Sequence, residues 1–496
     1  MKNYDVVIVG TGLGGLICGY ILSKNGYKVC LLEKNRQIGG CLQTFTRKGI
    51  KFDTGMHYIG SMEPGQILHR FFKYLHLIDD VKLQKLDSDG FDVISYNDEI
   101  YKYGMGFDNF VDTLSLKFPK ERQNIAKYIQ GIRDIAQASP LYNLREINAP
   151  TFIEASYIKS SVNSFINSLT NDNTLRNVLV ANSSLYAGVA DKTPLYIHAL
   201  INNFYIQSAW RIIGGSDTIA SSLANSIKKF GGEIFTEAEV ETFEVSETEV
   251  TSVILTNGEH IFGKKFISNI HPCATIERIN SHMIRRAYRD RIFSLENTIS
   301  TFTLFMIFKP NTVKYLNYNF YKHNVDDVWS AVNYTSTDWP RSFLYMHQAD
   351  SPNQEYANSG QIIAYMNYDD VRQWENTKVG RRGKDYEDFK TQKAEILLEQ
   401  LEKAFPGTIQ NIDSYYSSSP LTYRDYTYTK DGSTYGVLRD CNFPTQTLVS
   451  QRTKIPNLYL TGQNINSHGI LGVTIGAIIT CAEFLGINHI IKEINE

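Results

Sequence analysis

The stretch that decides the fold runs from Tyr4 to Glu33 and reads YDVVIVGTGLGGLICGYILSKNGYKVCLLE. The β-branched apolar run 4–9 predicts a strand, and a glycine-rich run over 10–15 follows it directly. Apolar residues at helical spacing then predict a helix that ends at Asn25-Gly26, and 27–32 predicts a second strand. A strand–helix–strand unit of this kind predicts an α/β fold in which the two strands pair in parallel.

The glycine run matches the G-x-G-x-x-G pattern in the context that the pattern requires, after a strand and at the start of a helix. Glycines let the backbone approach a pyrophosphate closely, and the helix N-terminus offers free N–H donors to that anion. Glu33 follows at the offset of about 20 residues expected for an acid that binds both ribose hydroxyls and repels a 2′-phosphate. The pattern therefore predicts FAD or NAD rather than NADP; the alternative is a chance glycine turn beside an exposed Glu33. The predicted cofactor-binding residues are Gly10, Gly12, Leu13, Gly14, Gly15, Glu33 and Lys34.

Size and charge limit the remaining possibilities. The chain has 496 residues, more than the roughly 250–300 at which a single core stops growing, so two domains are expected. Its 50 basic and 52 acidic residues give a net charge of −2, which leaves no electrostatic footprint for nucleic acid. The six cysteines show no zinc-like spacing, so no metal site is expected and a reducing, cytoplasmic location is favoured. We see no leader pattern at the N-terminus, and the uncharged stretch 469–482 is shorter than the roughly 20 residues of a membrane span.

Two later segments repeat the order of strand, glycine and helix. A strand at 210–213 leads into Gly214-Gly215 and a helix, and extended chain follows over 233–240. A strand at 458–460 precedes an apolar helix that begins near Gly472. We therefore predict one discontinuous Rossmann-type domain for the cofactor and an inserted α+β domain for the substrate. The cofactor domain comprises 1–62, 206–275 and 435–496, and the substrate domain comprises 63–205 and 276–434.

The predicted insertions have patterns of their own. Residues 107–205 are mainly helical in pattern, whereas apolar runs at 302–308 and 362–366 predict strands beside a helix at 390–404. Residues 67–78 predict an amphipathic helix. We expect its apolar face to cover the core, with peripheral contact to a membrane as the alternative.

The residues after Glu33 separate a flavin site from a nicotinamide site. A second glycine pair stands in GGCLQTF (39–45), and FDTGMHYIG (52–60) follows. A bare NAD site needs no second pair, whereas a flavin extends further across the strand ends. Both stretches resemble the superfamily of flavin amine oxidases and carotenoid desaturases, and in detail the branch that holds retinol saturases, carotenoid isomerases and phytoene desaturases. The resemblance implies FAD as the cofactor and is looser over the inserted segments.

The same resemblance extends to two later cofactor segments. It implies that the backbone of Val240 meets the adenine, and that the helix after NLYLTGQ (457–463), beginning at GILGV (469–473), aims its N-terminus at the pyrimidine carbonyl of the flavin. The dipole of that helix would stabilise the negative charge of a reduced flavin. The further predicted cofactor-binding residues are Gly40, Val240, Gly462, Asn464, Leu471, Gly472 and Val473.

Two positions depart from patterns common in the superfamily. Cys41 stands where amine oxidases usually have Arg, as in retinol saturase-like sequences, and this argues against an amine oxidase. Asn464 stands where Asp is common; an Asn still hydrogen-bonds a ribityl or phosphate oxygen, with less charge repulsion.

His57 is the candidate catalytic residue, because the resemblance puts the 53–60 turn near the flavin. Saturation of a double bond needs a hydride and a proton, so His57 would donate the proton or orient the substrate. The alternative is a structural histidine packed under the flavin. His468, at the start of the C-terminal helix, would contact flavin or solvent.

Three functions stay open at this stage. The first is an FAD-dependent oxidoreductase that reduces, desaturates or isomerises a hydrophobic polyene, retinoid-like or carotenoid-like, with NAD(P)H as an external reductant in one version. The second is an oxidase of amines or another small substrate on the same fold. The third is a lipid or prenyl carrier that has lost catalysis, against which the intact glycines and Glu33 argue. Aromatic residues make up 12% of the chain, which indicates either dense packing or an aromatic-walled cavity.

Overall fold

The fold is known from a computed structural model that describes residues 3–147 and 155–496. Residues 1–2 and 148–154, which the predicted domain ranges include, lie outside the described residues. The strands, in chain order, are β1 (Asn3–Val9), β2 (Val29–Leu32), β3 (Thr44–Arg47), β4 (Ile50–Asp53), β5 (Ile59–Gly60), β6 (Leu83–Lys85), β7 (Asp92–Tyr96), β8 (Glu99–Tyr103), β9 (Ala209–Ile212), β10 (Glu233–Phe235), β11 (Val240–Val245), β12 (Val250–Leu255), β13 (His260–Ser268), β14 (Ser300–Phe308), β15 (Asn319–His323), β16 (Ser342–His347), β17 (Ser359–Met366), β18 (Ile412–Ser418) and β19 (Leu458–Leu460). The α-helices are α1 (Leu13–Lys24), α2 (Ile67–Tyr74), α3 (Phe107–Ser115), α4 (Arg122–Ala138), α5 (Ala155–Lys159), α6 (Val162–Leu169), α7 (Asn173–Leu179), α8 (Leu195–Gln207), α9 (Asp217–Lys229), α10 (Pro272–Glu277), α11 (Arg286–Phe293), α12 (Lys384–Ala404), α13 (Pro420–Thr427), α14 (Pro444–Thr447), α15 (Gly469–Leu485) and α16 (Ile487–Asn495).

The first sheet has the order β10-β2-β1-β13-β12-β11, with β19 also paired to β13. Strands β10, β2, β1, β13 and β19 are parallel, and in the register Val7 lies opposite both Cys30 and Phe266. The carboxyl ends of parallel strands meet at one edge of a sheet. The loops that follow β1, β2, β13 and β19 therefore converge, although they are hundreds of residues apart in the chain.

Both faces of this sheet are covered, as a parallel sheet requires. Val6 and Ile8 of β1 are buried on the side of α1, α9 and α15, which pack on one another. Val7 and Val9 of β1 are buried in the opposite layer, together with Ile276 of α10. Alternate residues of one short strand thus join two separate cores, which is why the run 4–9 is apolar throughout.

The second sheet is largely antiparallel, with the order β18-β14-β17-β16-β15-β7-β8. Neighbouring residues of β15 serve opposite faces: Phe320 is buried in a core with Leu397 of α12, and Tyr321 in a core with helices α3, α4 and α8. The α/β prediction with a Rossmann-type domain and an α+β insertion is confirmed.

Several predicted elements have different bounds or partners in the structure. The helix predicted over 67–78 ends at Tyr74, and His76 then adopts a left-handed φ of 55°. The extended chain predicted over 233–240 is interrupted after β10 by Glu237 at φ 54°, and β11 then pairs antiparallel with β12. Strand β9 joins β5 and β6 in a small separate sheet instead of the cofactor sheet.

The cores also show how the inserted segments pack. Leu68, Phe71 and Phe72 of α2 are buried in the core beneath α1, so the apolar face of this helix covers the core. Residues 276–295 pack under the first sheet. Helix α2 and residues 276–295 thus both pack against the Rossmann-type part of the fold, although both fall within the predicted substrate domain. Among the described residues, no single helix has the length and apolarity to cross a bilayer; α15 and α16, bent by 119°, meet those criteria only as a pair.

Candidate active site

A cleft runs along the edge where the parallel strands of the first sheet end. We call it the dinucleotide cleft, because the glycine-rich turn forms its floor. Seven separate parts of the chain line it: 9–14, 32–42, 55–56, 238–240, 269–278, 423–435 and 462–473. Of the predicted cofactor-binding residues, Gly10, Gly12, Leu13, Gly14, Glu33, Lys34, Gly40, Val240, Gly462, Asn464 and Val473 line the cleft.

The three remaining predicted residues lie beside the cleft and not on its wall. A side chain on Gly15 would overlap the carbonyl oxygen of Gly10, so this glycine permits the turn itself. A Cβ atom on Gly472 would lie 2.7 Å from backbone atoms of Ser467, so this glycine permits a close approach within the C-terminal segment. Leu471 faces a groove on the other side of α15.

The floor of the cleft has room for a pyrophosphate because it lacks side chains. A Cβ atom on Gly12 would lie 2.8 Å from Nδ2 of Asn269, and one on Gly14 would lie 2.6 Å from Oδ1 of the same residue. Helix α1 begins here without a side-chain cap, so its first N–H groups are available to an anion. These features fit the phosphates of a dinucleotide.

Glu33 lies at the end of β2 and is 5% exposed. Its Oε2 accepts hydrogen bonds from the N–H (3.1 Å) and hydroxyl (2.5 Å) of Thr11, and its Oε1 accepts one from the N–H of Asn35 (2.9 Å). A carboxylate has about four acceptor sites, so lone pairs remain for ribose hydroxyls. The surrounding backbone thus holds Glu33 in the orientation that the sequence pattern predicts.

The end of the cleft near Val240 is closed by side chains that the sequence patterns did not indicate. Arg278 donates from Nε to the carbonyl oxygen of Val240 (2.9 Å) and lies over the ring of Tyr428. The ammonium of Lys34 lies 3.4 Å from the centroid of the same ring and donates to the carbonyl oxygen of Asp425 (2.5 Å). Helix α13 and the residues after it are thereby tied across the cleft.

Asn464, in the loop before α15, accepts a hydrogen bond through one end of its side-chain amide and lines the dinucleotide cleft. Its Oδ1 accepts a hydrogen bond from the N–H of Val437 (2.8 Å), which fixes the amide orientation. The Nδ2 group then has no hydrogen-bond partner among the described residues, and Asn464 lines the cleft. An Asp at this position would keep the bond to Val437 but would present a charged acceptor where Asn presents a donor.

The N-terminus of α15 lies where the cleft meets a second cavity. We call this second cavity the chamber; its walls include Met56, His57, Tyr58, Tyr205, Tyr321, His323, Phe343, Leu344, Ile363 and Tyr365. The residues shared by both cavities are Gly55, Met56, Tyr423, Thr434, Tyr435, Gly469 and Ile470. The chamber contains ≈ 1080 Å³ of empty space, part of it open to solvent. The reactive end of a dinucleotide would therefore face an aromatic-walled cavity.

The walls of the chamber carry no formal charge. Within the described part of the chain, no Asp, Glu, Lys or Arg lines it. Five of its wall residues nevertheless have a buried polar atom without a hydrogen-bond partner: Ser184 Oγ, Thr301 Oγ1, His323 Nδ1, Tyr365 Oη and Thr434 Oγ1. An unsatisfied buried polar atom costs roughly 1–3 kcal/mol, so these atoms favour a ligand that can hydrogen-bond with some of them.

His57, the candidate catalytic residue, lies on the chamber wall. It is half-buried, and burial together with the charge of Arg211 lowers the pKa of its imidazole to about 4. No described residue makes a hydrogen bond with it. His57 is therefore neutral at pH 7 and has no partner that would replace a donated proton. His468 caps α15 and binds the carbonyl oxygen of Leu185 through Nε2 (3.1 Å).

Behind the chamber wall lies an acid that the sequence patterns did not indicate. Asp92, at the start of β7, is fully buried, and burial raises the pKa of its carboxyl to about 7. Its Oδ1 accepts a hydrogen bond from Asn319 (2.8 Å), and its Oδ2 lies 3.4 Å from the hydroxyl of Tyr58. No local pattern marks Asp92, because its surroundings come from the pairing of β7 with β15.

Comparison with known proteins agrees with this architecture. The model of the NAD(P)-binding Rossmann-like domain matches residues 8–75. Human all-trans-retinol 13,14-reductase is 27% identical over 531 aligned residues, covering 98% of this chain and 86% of that protein. The chloroplastic prolycopene isomerase of Daucus carota is 23% identical, covering 88% of this chain and 72% of that protein. Among solved structures, cyclohexylamine oxidase of Brevibacterium oxydans superposes with a TM-score of 0.62 at 14% identity, covering 100% of both chains.

The fold, the site and the relatives define a flavin-dependent oxidoreductase, in which a dinucleotide cleft opens into a chamber. Within that class, the chain is similar over nearly its whole length to retinol 13,14-reductases, and more distantly to carotenoid isomerases. The resemblance drawn from the stretches 39–45 and 52–60 is thereby confirmed.

Proposed function

We propose that the protein is an FAD-dependent oxidoreductase that acts on a carbon–carbon double bond of a hydrophobic polyene. The observation that carries this proposal is the meeting of the dinucleotide cleft with an uncharged, aromatic-walled chamber at Tyr435 and Ile470. Apolar walls bind an apolar chain by removing it from water. The names of the relatives, a retinol reductase and a prolycopene isomerase, support the same substrate class.

In this proposal, the glycine-rich turn and α1 would hold the pyrophosphate of FAD, Glu33 would hold the adenosine ribose, and the N-terminus of α15 would face the flavin; all of these line the cleft. When bound, the flavin supplies hydride transfer. The chain itself aligns the substrate in the chamber, keeps bulk water from the reacting carbons and provides a proton. Tyr58 and Tyr205, whose rings lie 4.3 Å apart, form part of the aromatic wall against which a planar polyene would pack.

The polar atoms of the chamber narrow the substrate further. A pure hydrocarbon would leave Tyr365 Oη, Thr434 Oγ1 and His323 Nδ1 without partners. A polyene that carries one hydroxyl or carbonyl group could satisfy one or two of them and would bind more tightly by roughly 1–3 kcal/mol for each atom. We therefore propose an oxygen-bearing polyene in preference to a hydrocarbon carotene.

The uncharged wall disfavours the amine oxidase alternative. A protonated amine in a cavity without a carboxylate pays a desolvation cost that nothing in the chamber offsets. Cys41, on the wall of the dinucleotide cleft, agrees with this conclusion, because it stands where amine oxidases usually have Arg. A non-catalytic carrier is disfavoured by the intact cleft.

The decisive experiment mixes reduced, FAD-loaded protein anaerobically with all-trans-retinol, a retinoic acid and lycopene in separate runs. We expect flavin reoxidation together with loss of polyene absorbance, faster with the oxygenated polyenes. In a parallel aerobic assay with oxidised protein, hydrogen peroxide production with aliphatic amines, together with no reaction with any polyene, would replace this proposal by the amine oxidase. Purified protein that shows no flavin spectrum after FAD is added would instead support the carrier.

We also propose NAD(P)H as the external reductant. A third opening, the side cleft, adjoins the dinucleotide cleft at Gly40, Cys41 and Tyr423 and carries the basic side chains of Arg47 and Lys390. Anaerobic titration of the oxidised holoprotein with NADH and with NADPH tests this version. If neither nucleotide bleaches the flavin absorbance, NAD(P)H is excluded as the reductant. A protein or quinone donor would then be indicated.

A further inference from the structure

We propose that Asp92, Tyr58 and Tyr321 form a proton relay that delivers the substrate proton into the chamber. The inference rests on the proposed function, since it supplies the proton that accompanies hydride transfer to a double bond. It assigns this step to Asp92 and Tyr321, which lie outside every sequence motif, and to Tyr58, the neighbour of His57 in the stretch 52–60, and it removes the step from His57.

The three groups form a chain that runs from the protein interior to the chamber wall. Oη of Tyr58 lies 3.4 Å from Oδ2 of Asp92 and 3.0 Å from Oη of Tyr321. Both tyrosines line the chamber, and Tyr58 is the one described hydrogen-bond partner of the Tyr321 hydroxyl. The longer of the two contacts is of a kind that often shortens when an enzyme closes on its substrate.

The surroundings of Asp92 make it able both to hold and to release a proton. Asn319 donates to its other oxygen at 2.8 Å, and no described residue forms a salt bridge with it. The titratable and charged groups that face it are Tyr58, Tyr321, Tyr103, Tyr205 and the more distant Arg211. Arg211 is engaged elsewhere, since its Nη2 donates to the carbonyl oxygen of Tyr318. Burial thus dominates, and a pKa of about 7 leaves both forms of Asp92 populated near neutrality.

The protonation state of Asp92 determines the direction in which protons are donated along the three side chains. A protonated Asp92 donates to Tyr58, Tyr58 donates to Tyr321, and the Tyr321 hydroxyl is left to donate into the chamber. Burial raises the pKa of both tyrosines well above the ordinary value, so neither can keep a negative charge after donating. The relay avoids that charge because the proton of Asp92 replaces the one that Tyr321 gives up.

The proton balance of the step is complete. One carbon of the double bond receives a hydride from reduced flavin, and the electron pair of the broken π bond forms a new C–H bond at the other carbon. The O–H bond of Tyr321 breaks as that C–H bond forms, and protons shift from Tyr58 to Tyr321 and from Asp92 to Tyr58. The carboxylate of Asp92 then takes a proton from water.

The test compares Asp92→Asn, Tyr58→Phe and Tyr321→Phe with the control Tyr103→Phe. Tyr103 is as buried as Tyr321 and faces Asp92, but it does not line the chamber. We expect each relay variant to keep FAD and polyene binding while kcat falls roughly 10²-fold or more, the scale of general acid catalysis. The control should keep the wild-type kcat, and the pH profile of kcat should lose its limb near pH 7 in Asp92→Asn.

A second measurement does not depend on turnover. Infrared difference spectra of the holoprotein between pH 6 and pH 8 should show the carbonyl stretch of a protonated carboxyl group, and Asp92→Asn should abolish that signal. A spectrum that Asp92→Asn leaves unchanged overturns the relay, as does a wild-type kcat in Asp92→Asn or Tyr321→Phe. If wild type converts no polyene in the panel, the proposed function fails, and the infrared signal still decides whether Asp92 exchanges a proton.

Discussion

Oδ1 of Asn269 lies 2.6 Å from the position that a Cβ atom would take on Gly14, and backbone atoms of Gly462 lie 2.9 Å from the same position. Three distant segments therefore meet at one glycine, each following a different parallel strand of the first sheet. The shape of the dinucleotide cleft depends on the absence of a side chain at this point.

Gly14→Ala should therefore lose FAD. The new methyl group would meet backbone of Gly462, which no side-chain rotation relieves, so α1 has to shift and the cleft changes shape. The flavin-to-protein ratio after gel filtration measures the effect. Gly476→Ala is the matched control, since its nearest neighbour would lie at an ordinary 3.4 Å. This control substitution, within helix α15, should keep FAD bound and should raise the free energy of unfolding by up to about 1 kcal/mol. Full flavin retention in Gly14→Ala would show that the cleft tolerates the shift.

The same contact shows how far the sequence predicts the site. Gly14 belongs to a local pattern whose mechanism is known, so it can be identified without coordinates. Asn269 has no pattern of its own; it reaches the cleft because β13 pairs in parallel with β1, some 260 residues away in the chain. Asn269 directly follows β13, at the edge where ligands bind to such sheets, and that position becomes visible only once the pairing of the strands is known.

The residues around the chamber were harder to predict from the sequence. Asp92 and Tyr321 come together through the pairing of β7 with β15, between elements of different predicted segments. His57 was found because it lies inside a motif, but its chemistry depends on burial, which the motif does not encode. Motifs thus predicted most of the residues that line the floor of the dinucleotide cleft, whereas tertiary packing determines the groups that line the chamber.

His57→Ala should slow turnover while FAD stays bound, because His57 lies on the wall of the chamber in which we propose that the substrate binds. The pH profile separates orientation from acid catalysis. With a pKa of about 4, the imidazole is neutral throughout pH 5.5–8, so any limb of the kcat profile near pH 7 should persist in the variant. Loss of that limb in His57→Ala, measured by stopped-flow flavin oxidation, would restore His57 as the proton donor.

Asn464→Asp and Asn464→Ala should separate cofactor affinity from stability. Asp keeps an acceptor for the N–H of Val437, so its free energy of unfolding without FAD should match wild type. Its charge would face the phosphates and ribityl chain, so the Kd for FAD should rise. Ala leaves the buried N–H of Val437 unpaired and should lose roughly 1–3 kcal/mol of stability. Urea unfolding and FAD titration measure the two effects. Equal Kd values for Asp and Asn would mean that Nδ2 does not face the cofactor.

Acid should destabilise the fold through its buried neutral histidines. Nε2 of His198 lies 2.9 Å from Oη of Tyr128, its Nδ1 lies 2.8 Å from Oη of Tyr186, and burial lowers its pKa to about 3. The unfolded chain has a histidine pKa of about 6.5, so it binds more protons than the folded form between these values. Stability should therefore fall as the pH drops from about 6.5 towards 3. Urea midpoints at pH 7.5, 6 and 5 should show a smaller loss in His198→Gln than in wild type; equal losses would assign the effect to other groups.

The ties across the dinucleotide cleft should control how fast FAD leaves. Lys34 donates to the carbonyl oxygen of Asp425 at 2.5 Å and lies over Tyr428, and Asn35 donates to the carbonyl oxygen of Tyr426 at 3.1 Å, so α13 is held to the end of β2. Lys34→Met keeps the apolar stem but removes the donor and the charge. We expect FAD to dissociate faster, and flavin fluorescence after dilution measures the rate.

Lys264→Met is the control, because the exposed ion pair of Lys264 with Asp5 lies away from the cleft and such pairs contribute little to stability. An unchanged dissociation rate in Lys34→Met would mean that α13 does not limit cofactor release, and the rate would then be set by the glycine-rich turn and the N-terminus of α15.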